Sequence, residues 1–263
     1  MQETCYRIQA PLRRTIALLS DLHDRPYGRI LIAVARKRPD LIAVPGDFLW
    51  GGTEPGNGLL VEASRRALPF LRDCAAIAPT FVSLGNHEQK VAEEDLGRIR
   101  DTGAVLLDNE WVSPEPELHI GGLTSAAVLE YRSFRRGQPE RYPPHGRHPP
   151  LPPPDLGWLP DFEALPGYRI LLCHHPEYLP RHGLAGRNIQ LILSGHAHGG
   201  QMRLLGQGLF APGQGFFPSM TRGIYGPLVL SAGLSNTARP IPRLGNPREI
   251  VYVELGPFGG NSC

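Results

Sequence analysis

Five short polar motifs stand where apolar runs end. Asp21 and His23 follow Thr-Ile-Ala-Leu-Leu-Ser, and Asp47 follows Leu-Ile-Ala-Val-Pro-Gly. Asn86 and His87 follow Thr-Phe-Val-Ser-Leu-Gly. His174 follows Arg-Ile-Leu-Leu-Cys, and His196 and His198 follow Gln-Leu-Ile-Leu-Ser-Gly. Carboxylates and imidazoles gathered from several strand ends are the donor set of a transition-metal site. Asp with His suits Mn, Fe or Zn, whereas Ca and Mg prefer all-oxygen shells. Each motif alone is weak: a lone Asp-x-His reads more readily as a capping Asp beside a surface His, and a lone Gly-Asp as a turn. The ordered set, each member at a strand end, makes metal binding the better reading.

The runs that carry these residues are short and rich in Ile, Leu and Val, as buried strands are. Residues i and i+2 of a strand share a face, so Asp21 with His23, and His196 with His198, are each expected to present two ligands to one side. The glycines before Asp47, Asn86 and His196 are expected to turn the backbone sharply and bring the ligand inward. Strands are predicted at 6–9, 15–20, 41–44, 80–84, 104–107, 118–123, 169–173, 190–194, 228–232 and 249–255. Helices are predicted at 27–38, stopped by Pro39, at 57–76 with Pro69 as a kink, and at 92–101. Alternating strand and helix in the first hundred residues implies parallel pairing with crossover helices. The second half is mostly strand and loop. The expected fold class is α/β, with two packed mixed β-sheets flanked by helices in a single domain over 1–263. A proline-rich excursion at about 133–160, with nine prolines between Pro139 and Pro160, is placed outside the core as a surface loop.

Composition narrows the classes. The chain has 263 residues, enough for one α/β domain with a sizeable core. Lys plus Arg is 27 and Asp plus Glu is 25, a near balance that argues against a dedicated nucleic-acid binder. Cys5, Cys74, Cys173 and Cys263 have no Cys-x-x-Cys spacing, so a reducing compartment and a cytoplasmic location are expected. No run approaches the ~20 apolar residues that span a bilayer, and no signal peptide is read at the start. Phe210, Phe216 and Phe217 lie in a glycine-rich loop. They are read as a buried loop cluster, with peripheral membrane contact as the alternative.

The order Asp-x-His, Gly-Asp, Gly-Asn-His-Glu, His and Gly-His-x-His resembles the calcineurin-like metallophosphoesterases. The extended Gly-His-Ala-His-Gly-Gly-Gln at 195–201 is similar to the branch of YkuE- and YaeI-like phosphodiesterases, linked to cleavage of UDP-2,3-diacylglucosamine. The tail fits too, with Tyr225-Gly226, Ser231-Ala232-Gly233-Leu234, Arg243 and Glu249-Ile250. The resemblance implies two divalent metal ions, Mn first, with Fe or Zn as alternatives. It implies that Asp21, His23 and His198 hold one ion, that Asn86, His174 and His196 hold the other, and that Asp47 bridges both. His174 rather than its neighbour His175 fits the family position, leaving His175 as a surface histidine or one behind the ligands. His87 takes the family's place of a proton-bearing, non-ligating catalytic histidine. Glu88 either orients His87 or begins the next helix, and the second reading is preferred. Arg243 is divided between a substrate-phosphate contact and a surface ion pair.

The implied reaction is hydrolysis of a phosphodiester, phosphomonoester or pyrophosphate bond by a metal-bridging hydroxide. The implied substrate is a small-molecule phosphate ester or a lipid nucleotide. A nuclease of the same superfamily and a metal-binding scaffold for protein partners are the alternatives. The near-neutral charge weighs against the first, and the complete ligand set with His87 against the second. Three departures from the branch bear on substrate choice: the missing membrane helix or export signal, Asp24-Arg25-Pro26 after the first motif, and the long proline-rich stretch.

Overall fold

The computed structural model describes residues 1–50, 64–137, 153–236 and 242–257. In chain order the strands are β1 (Gln2–Gln9), β2 (Arg14–Leu18), β3 (Leu41–Val44), β4 (Thr80–Val82), β5 (Val105–Leu106), β6 (Glu110–Glu115), β7 (Leu118–Leu123), β8 (Tyr168–Cys173) and β9 (Leu191–Ser194). Then come two small pairs, β10 (Arg203–Leu204) with β11 (Gln207–Gly208) and β12 (Phe210–Ala211) with β13 (Gly215–Phe216). The last are β14 (Gly223–Tyr225), β15 (Leu228–Leu230) and β16 (Glu249–Gly256). They form two six-stranded mixed sheets, ordered β1-β16-β2-β3-β4-β5 and β14-β15-β9-β8-β7-β6.

The pairing β2–β3–β4–β5 is parallel, as the alternating first hundred residues require. The β16 strand returns antiparallel to β2, and β1 lies parallel to β16 at the edge. In the second sheet β7, β8, β9 and β15 run parallel, with antiparallel strands at both edges.

Side-chain alternation sorts the core into three layers. Ile16, Leu18, Leu41, Ala43, Val251 and Val253 face Ile170, Leu172, Leu191, Leu193 and Val229 between the sheets. Their neighbours Ala17, Leu19, Ile42, Val44 and Val82 face outward onto helices, with Ile30, Val34, Phe70, Leu71 and Leu96. On the far side Leu171, Cys173, Ile192 and Leu230 pack with Leu159 and Phe162. Burial on both faces explains why these strands read as continuous apolar runs.

The helices Gly28–Lys37, Ala67–Ile77 and Glu93–Arg100 cover the first sheet. The predicted 57–76 helix differs in its first half. Residues 64–66 are not helical, and the helix begins at Ala67; 57–63 lie outside the described residues. Pro69 therefore sits in the first turn, where its missing N–H costs no helical bond, so it does not act as a kink.

Several elements carried no strong periodic signal: β6, the helix Ala126–Gly137, the short pairs β10–β13, and β14. Two expectations are corrected. The proline-rich stretch is not all outside the core, since Ala126–Gly137 runs into its start and Leu159 near its end is fully buried in the short helix Leu159–Glu163. Its middle, 138–152, lies outside the described residues. The three phenylalanines are not a buried cluster either: Phe216 is 79% and Phe217 72% exposed, with Leu204 and Leu205 also exposed. Here the β-hairpin is too small to have an inside. No helix among the described residues is long and apolar enough to cross a membrane.

Candidate metal centre

The ligand candidates lie past the strand ends rather than on the strands, which changes how they are aimed. Asp21, His23, Asp47, His196 and His198 all have left-handed backbone, with φ between 46° and 68°. The expected i, i+2 alternation of a strand therefore does not orient the two pairs. Asp, Asn and His tolerate this region better than most residues, yet each such position costs about 1 kcal/mol or more. Hydrogen bonds outlast the strands and hold the conformation. Asp21 N donates to Gly46 O at 3.3 Å, His23 N to Asp47 O at 3.0 Å and Asp24 N to Phe48 O at 3.0 Å. The loops after β2 and β3 are thus zipped to each other. Leu234 N donates to Ser20 O at 2.9 Å, and Gly195 N to His174 O at 3.2 Å.

The three glycines act differently from one another. Gly46, at φ +100°, makes the predicted sharp turn. At Gly85 and Gly195 φ is not positive, and the demand is space. A Cβ at Gly85 would lie 2.3 Å from Asp47 Oδ1, and one at Gly195 would lie 1.8 Å from Ser20 Oγ and 2.3 Å from Asp21 Oδ2. Only a hydrogen fits where the two sheets' loops meet.

These contacts bring the sequence-predicted residues together. The donor atoms of Asp21, His23 and His198 lie within 4.8 Å of one another, as do those of Asp47, His174 and His196. A third group, His23, Asp47 and His87, overlaps both. Asp47 Oδ2 lies 3.1 Å from His174 Nε2 and 3.8 Å from His23 Nε2, so one carboxylate faces both groups. Asn86 opens the tight turn Asn86–Glu88 directly after Gly85. His87 has its side chain 28% exposed, the His23 ring 4.4 Å away and Asp47 Oδ2 at 3.9 Å from its Nε2. That placement puts an imidazole at the open edge of the donor cluster.

The electrostatics suit cations. Burial holds the pKa values of His23 and His196 well below the ordinary range, so both stand as neutral imidazoles with a lone pair to give. Burial also pushes His174 down, but Asp47 beside it lifts it to about 9. Burial works against ionisation of Asp47, yet His174 and His87 hold it well below the carboxylate range. His174 Nδ1 lies 2.9 Å from Pro45 O. A carbonyl only accepts, so Nδ1 keeps a proton, and Nε2, 3.1 Å from Asp47 Oδ2, carries the proton that a bound cation would displace. Both His23 nitrogens and Asn86 Oδ1 are buried without a hydrogen-bond partner among the described residues. An unpaired buried imidazole between Asp21 and Asp47, and an unpaired amide oxygen at the Asn86 turn, fit metal ions, whose bonds would replace those lost to water.

Three supporting residues escaped the sequence reading. Glu88 does not merely begin a helix. It is fully buried, accepting from Asp47 N at 2.8 Å, Gly85 N at 2.8 Å and Leu49 N at 2.9 Å. Burial and then the charge of Asp47 push its pKa to about 8. It is the clamp that folds the Asp47 loop against the Asn86 turn. Glu88→Ala is expected to lower metal occupancy, measured by plasma mass spectrometry, and turnover by about 10–100-fold, as removal of a residue behind a ligand does, with Glu88→Gln the milder of the two. Wild-type occupancy in Glu88→Ala would remove the clamp role.

Glu177 and Ser125 are the other two. His175 is buried, not on the surface, and both its nitrogens are engaged. Nδ1 lies 3.2 Å from Glu177 Oε1 and Nε2 lies 2.8 Å from Ser125 Oγ. That leaves no lone pair for a metal and agrees with His174 as the ligating neighbour. Glu177 Oε1 is also 3.6 Å from His196 Nε2, so the carboxylate stands behind His196. Arg243 is not a surface ion pair: it is half-buried, and its guanidinium donates to the carbonyls of Ala232 and Gly233.

Comparison with known proteins points the same way. A family model described as Calcineurin-like phosphoesterase matches residues 14–200. YpbG of Bacillus subtilis, an uncharacterized protein, is 28% identical over 244 residues, covering 92% of this chain and 80% of its own. Phosphodiesterase YaeI of Escherichia coli is 26% identical over 202 residues, covering 72% of this chain and 62% of its own. Metallophosphoesterase Cj0846 of Campylobacter jejuni, uncharacterized, is 26% identical over 189 residues, covering 71% of this chain. The match takes in 43% of that protein, so this chain corresponds to under half of its length.

Proposed function

Because the chain belongs to the calcineurin-like phosphoesterase family, we propose that it is a dimetal phosphohydrolase of phosphate esters, with a phosphodiester as the favoured bond. The observation that carries this is the position of Asp47, a single carboxylate facing two groups of His and Asp donors at once. Asp21, His23 and His198 would hold one divalent ion, Asn86, His174 and His196 the other, and Asp47 both, with Mn first and Fe or Zn as alternatives. Two such ions, when bound, lower the pKa of water toward ~7 and neutralise phosphoryl charge.

The chain's own residues supply the rest. His87, at the exposed edge, is placed to hand a proton from its ring to the leaving oxygen. Its backbone N–H donates to Asp47 Oδ1 at 2.8 Å, fixing the carboxylate's orientation. Glu88 and Glu177 hold the ligand loops from behind. A reducing, cytoplasmic setting belongs to the same proposal and rests on four cysteines without Cys-x-x-Cys spacing. Exposed Leu204, Leu205, Phe216 and Phe217 favour, within the ester class, a lipid-bearing substrate met at a bilayer surface.

The test is hydrolysis of bis(p-nitrophenyl) phosphate at neutral pH. Turnover is expected with added Mn²⁺ and is expected to vanish with chelator. Turnover that persists after the ions have been removed would refute the dimetal reading.

A further inference from the structure

Beside the donor cluster, a cavity of about 500 Å³ is lined on its polar side by Arg25, Ser235, Asn236, Arg243, Asn246 and Arg248. Three guanidinium groups share it, and no carboxylate is among its described lining. The nearby carboxylate of Glu249 is committed elsewhere: Oε1 accepts from Thr4 Oγ1 at 2.5 Å and Oε2 from Ala232 N at 2.9 Å. Arg25 lies over the face of Trp50, with its guanidinium carbon 4.8 Å from the ring centroid, a contact that leaves its N–H edges to other partners.

The cavity adjoins the first ligand group. Asn246 Nδ2 donates to His198 O at 2.6 Å and to Gln201 O at 3.1 Å, so this wall is the back of the His198 turn. Arg243 is braced on the turn at Ala232 and Gly233, and a Cβ at Gly233 would lie 3.0 Å from the Cβ of Asp21. Bracing that turn accounts for two of the Arg243 nitrogens. It does not account for Nε, which is buried without a partner among the described residues, nor for Ser235 Oγ, in the same condition. Unpaired buried donors are costly, and both belong to residues that line this positively charged cavity. Burial first, and then the charges of Arg248 and Arg222, push Arg243 down to about 10 against the pull of Asp21 and Glu249. The cluster is therefore one of crowded cations and unused donors, which an anion of several oxygens would relieve.

We propose that this cavity is an anion subsite that receives a second phosphoryl group of the substrate, one that is not cleaved. The inference rests on the phosphohydrolase reading above and narrows it to esters carrying two phosphates. Arg25 and Arg248 bind this group, while Arg243 adds positive charge from the wall.

The experiment uses a matched pair with the same scissile bond and the Mn-loaded protein. Thymidine 5′-(p-nitrophenyl phosphate) 3′-phosphate is compared with thymidine 5′-(p-nitrophenyl phosphate), which lacks the second phosphate. The expected kcat/KM ratio is about tenfold or more in favour of the first, the size of one or two charge-assisted hydrogen bonds. In Arg25→Ala/Arg248→Ala, both partly or fully exposed and outside the core, the ratio falls toward one. Calorimetric titration gives a readout free of turnover: thymidine 3′,5′-bisphosphate is expected to bind at least about tenfold tighter than thymidine 5′-monophosphate, and the double variant loses the difference. Cleavage of both esters with equal kcat/KM, or a ratio unmoved in the double variant, overturns the subsite and leaves the phosphohydrolase standing. Cleavage of neither ester overturns the phosphohydrolase reading, and the subsite with it.

Discussion

Asp47→Asn is expected to reduce turnover by about 10³-fold or more and to lower the content of both metals together. Asp47 Oδ2 lies 3.1 Å from His174 Nε2 and 3.8 Å from His23 Nε2, so it reaches both donor groups. The amide keeps the shape but removes the charge and turns one oxygen into a donor, which opposes a cation instead of attracting it. Bound metal contributes several kcal/mol of transition-state stabilisation, and each 1.36 kcal/mol is about tenfold in rate. The variant is expected to fold, because Asp47 N still donates to Glu88 and the zipped loops do not depend on the side-chain charge. Metal content and turnover are measured on the same preparation. Near-wild-type turnover would mean that Asp47 does not bridge, and loss of one metal alone would assign it to a single ion.

His87→Ala separates proton transfer from ligation. Its ring belongs to an overlapping donor group with His23 and Asp47, so proximity alone would permit it to be a ligand. Its side chain is 28% exposed, however, whereas those of His23 and His174 are fully buried. A general acid must reach solvent and the leaving group, and a ligand need not. Turnover is expected to fall about 10²–10⁴-fold with both metals retained. The loss should be smallest for esters with good leaving groups such as p-nitrophenolate, which need little protonation. If both metals leave with the ring, His87 is a ligand and the acid must be sought elsewhere.

The positions of the chemistry-bearing residues were legible because each closes an apolar run, and apolar runs buried on both faces announce strands. Asp21, His23, Asp47, His174, His196 and His198 meet as the order of motifs implied. What the runs could not show is how the backbone turns after them. Left-handed backbone at five of these residues is compatible with Asp and His but is not dictated by them, since both residues also occupy other turn conformations. Glu88 was hidden for a related reason. Its partners are three backbone N–H groups, and convergence of backbone has no sequence signature. Glu177 and Ser125 likewise act through His175 and sit on separate elements. The reading of Phe216 and Phe217 failed because a hydrophobic residue between glycines carries no periodicity to separate a buried loop from an exposed hairpin.

The ligand candidates are divided between the two sheets. Asp21, His23, Asp47 and Asn86 follow strands of the first, and His174, His196 and His198 follow strands of the second. The layer of side chains between them, from Ile16 and Leu18 to Ile170 and Leu193, sets how far apart those halves stand, and bonds across the seam such as Leu234 N to Ser20 O and His196 N to Asp21 Oδ1 hold them at that distance. That layer is therefore a ruler as well as a core. Interiors are packed tightly enough that one methylene is felt. A conservative exchange there, far from any donor atom, would move one half of the site against the other. Tolerance to mutation in this interior is thus expected to be limited by the spacing of the two donor groups as well as by the stability of the fold.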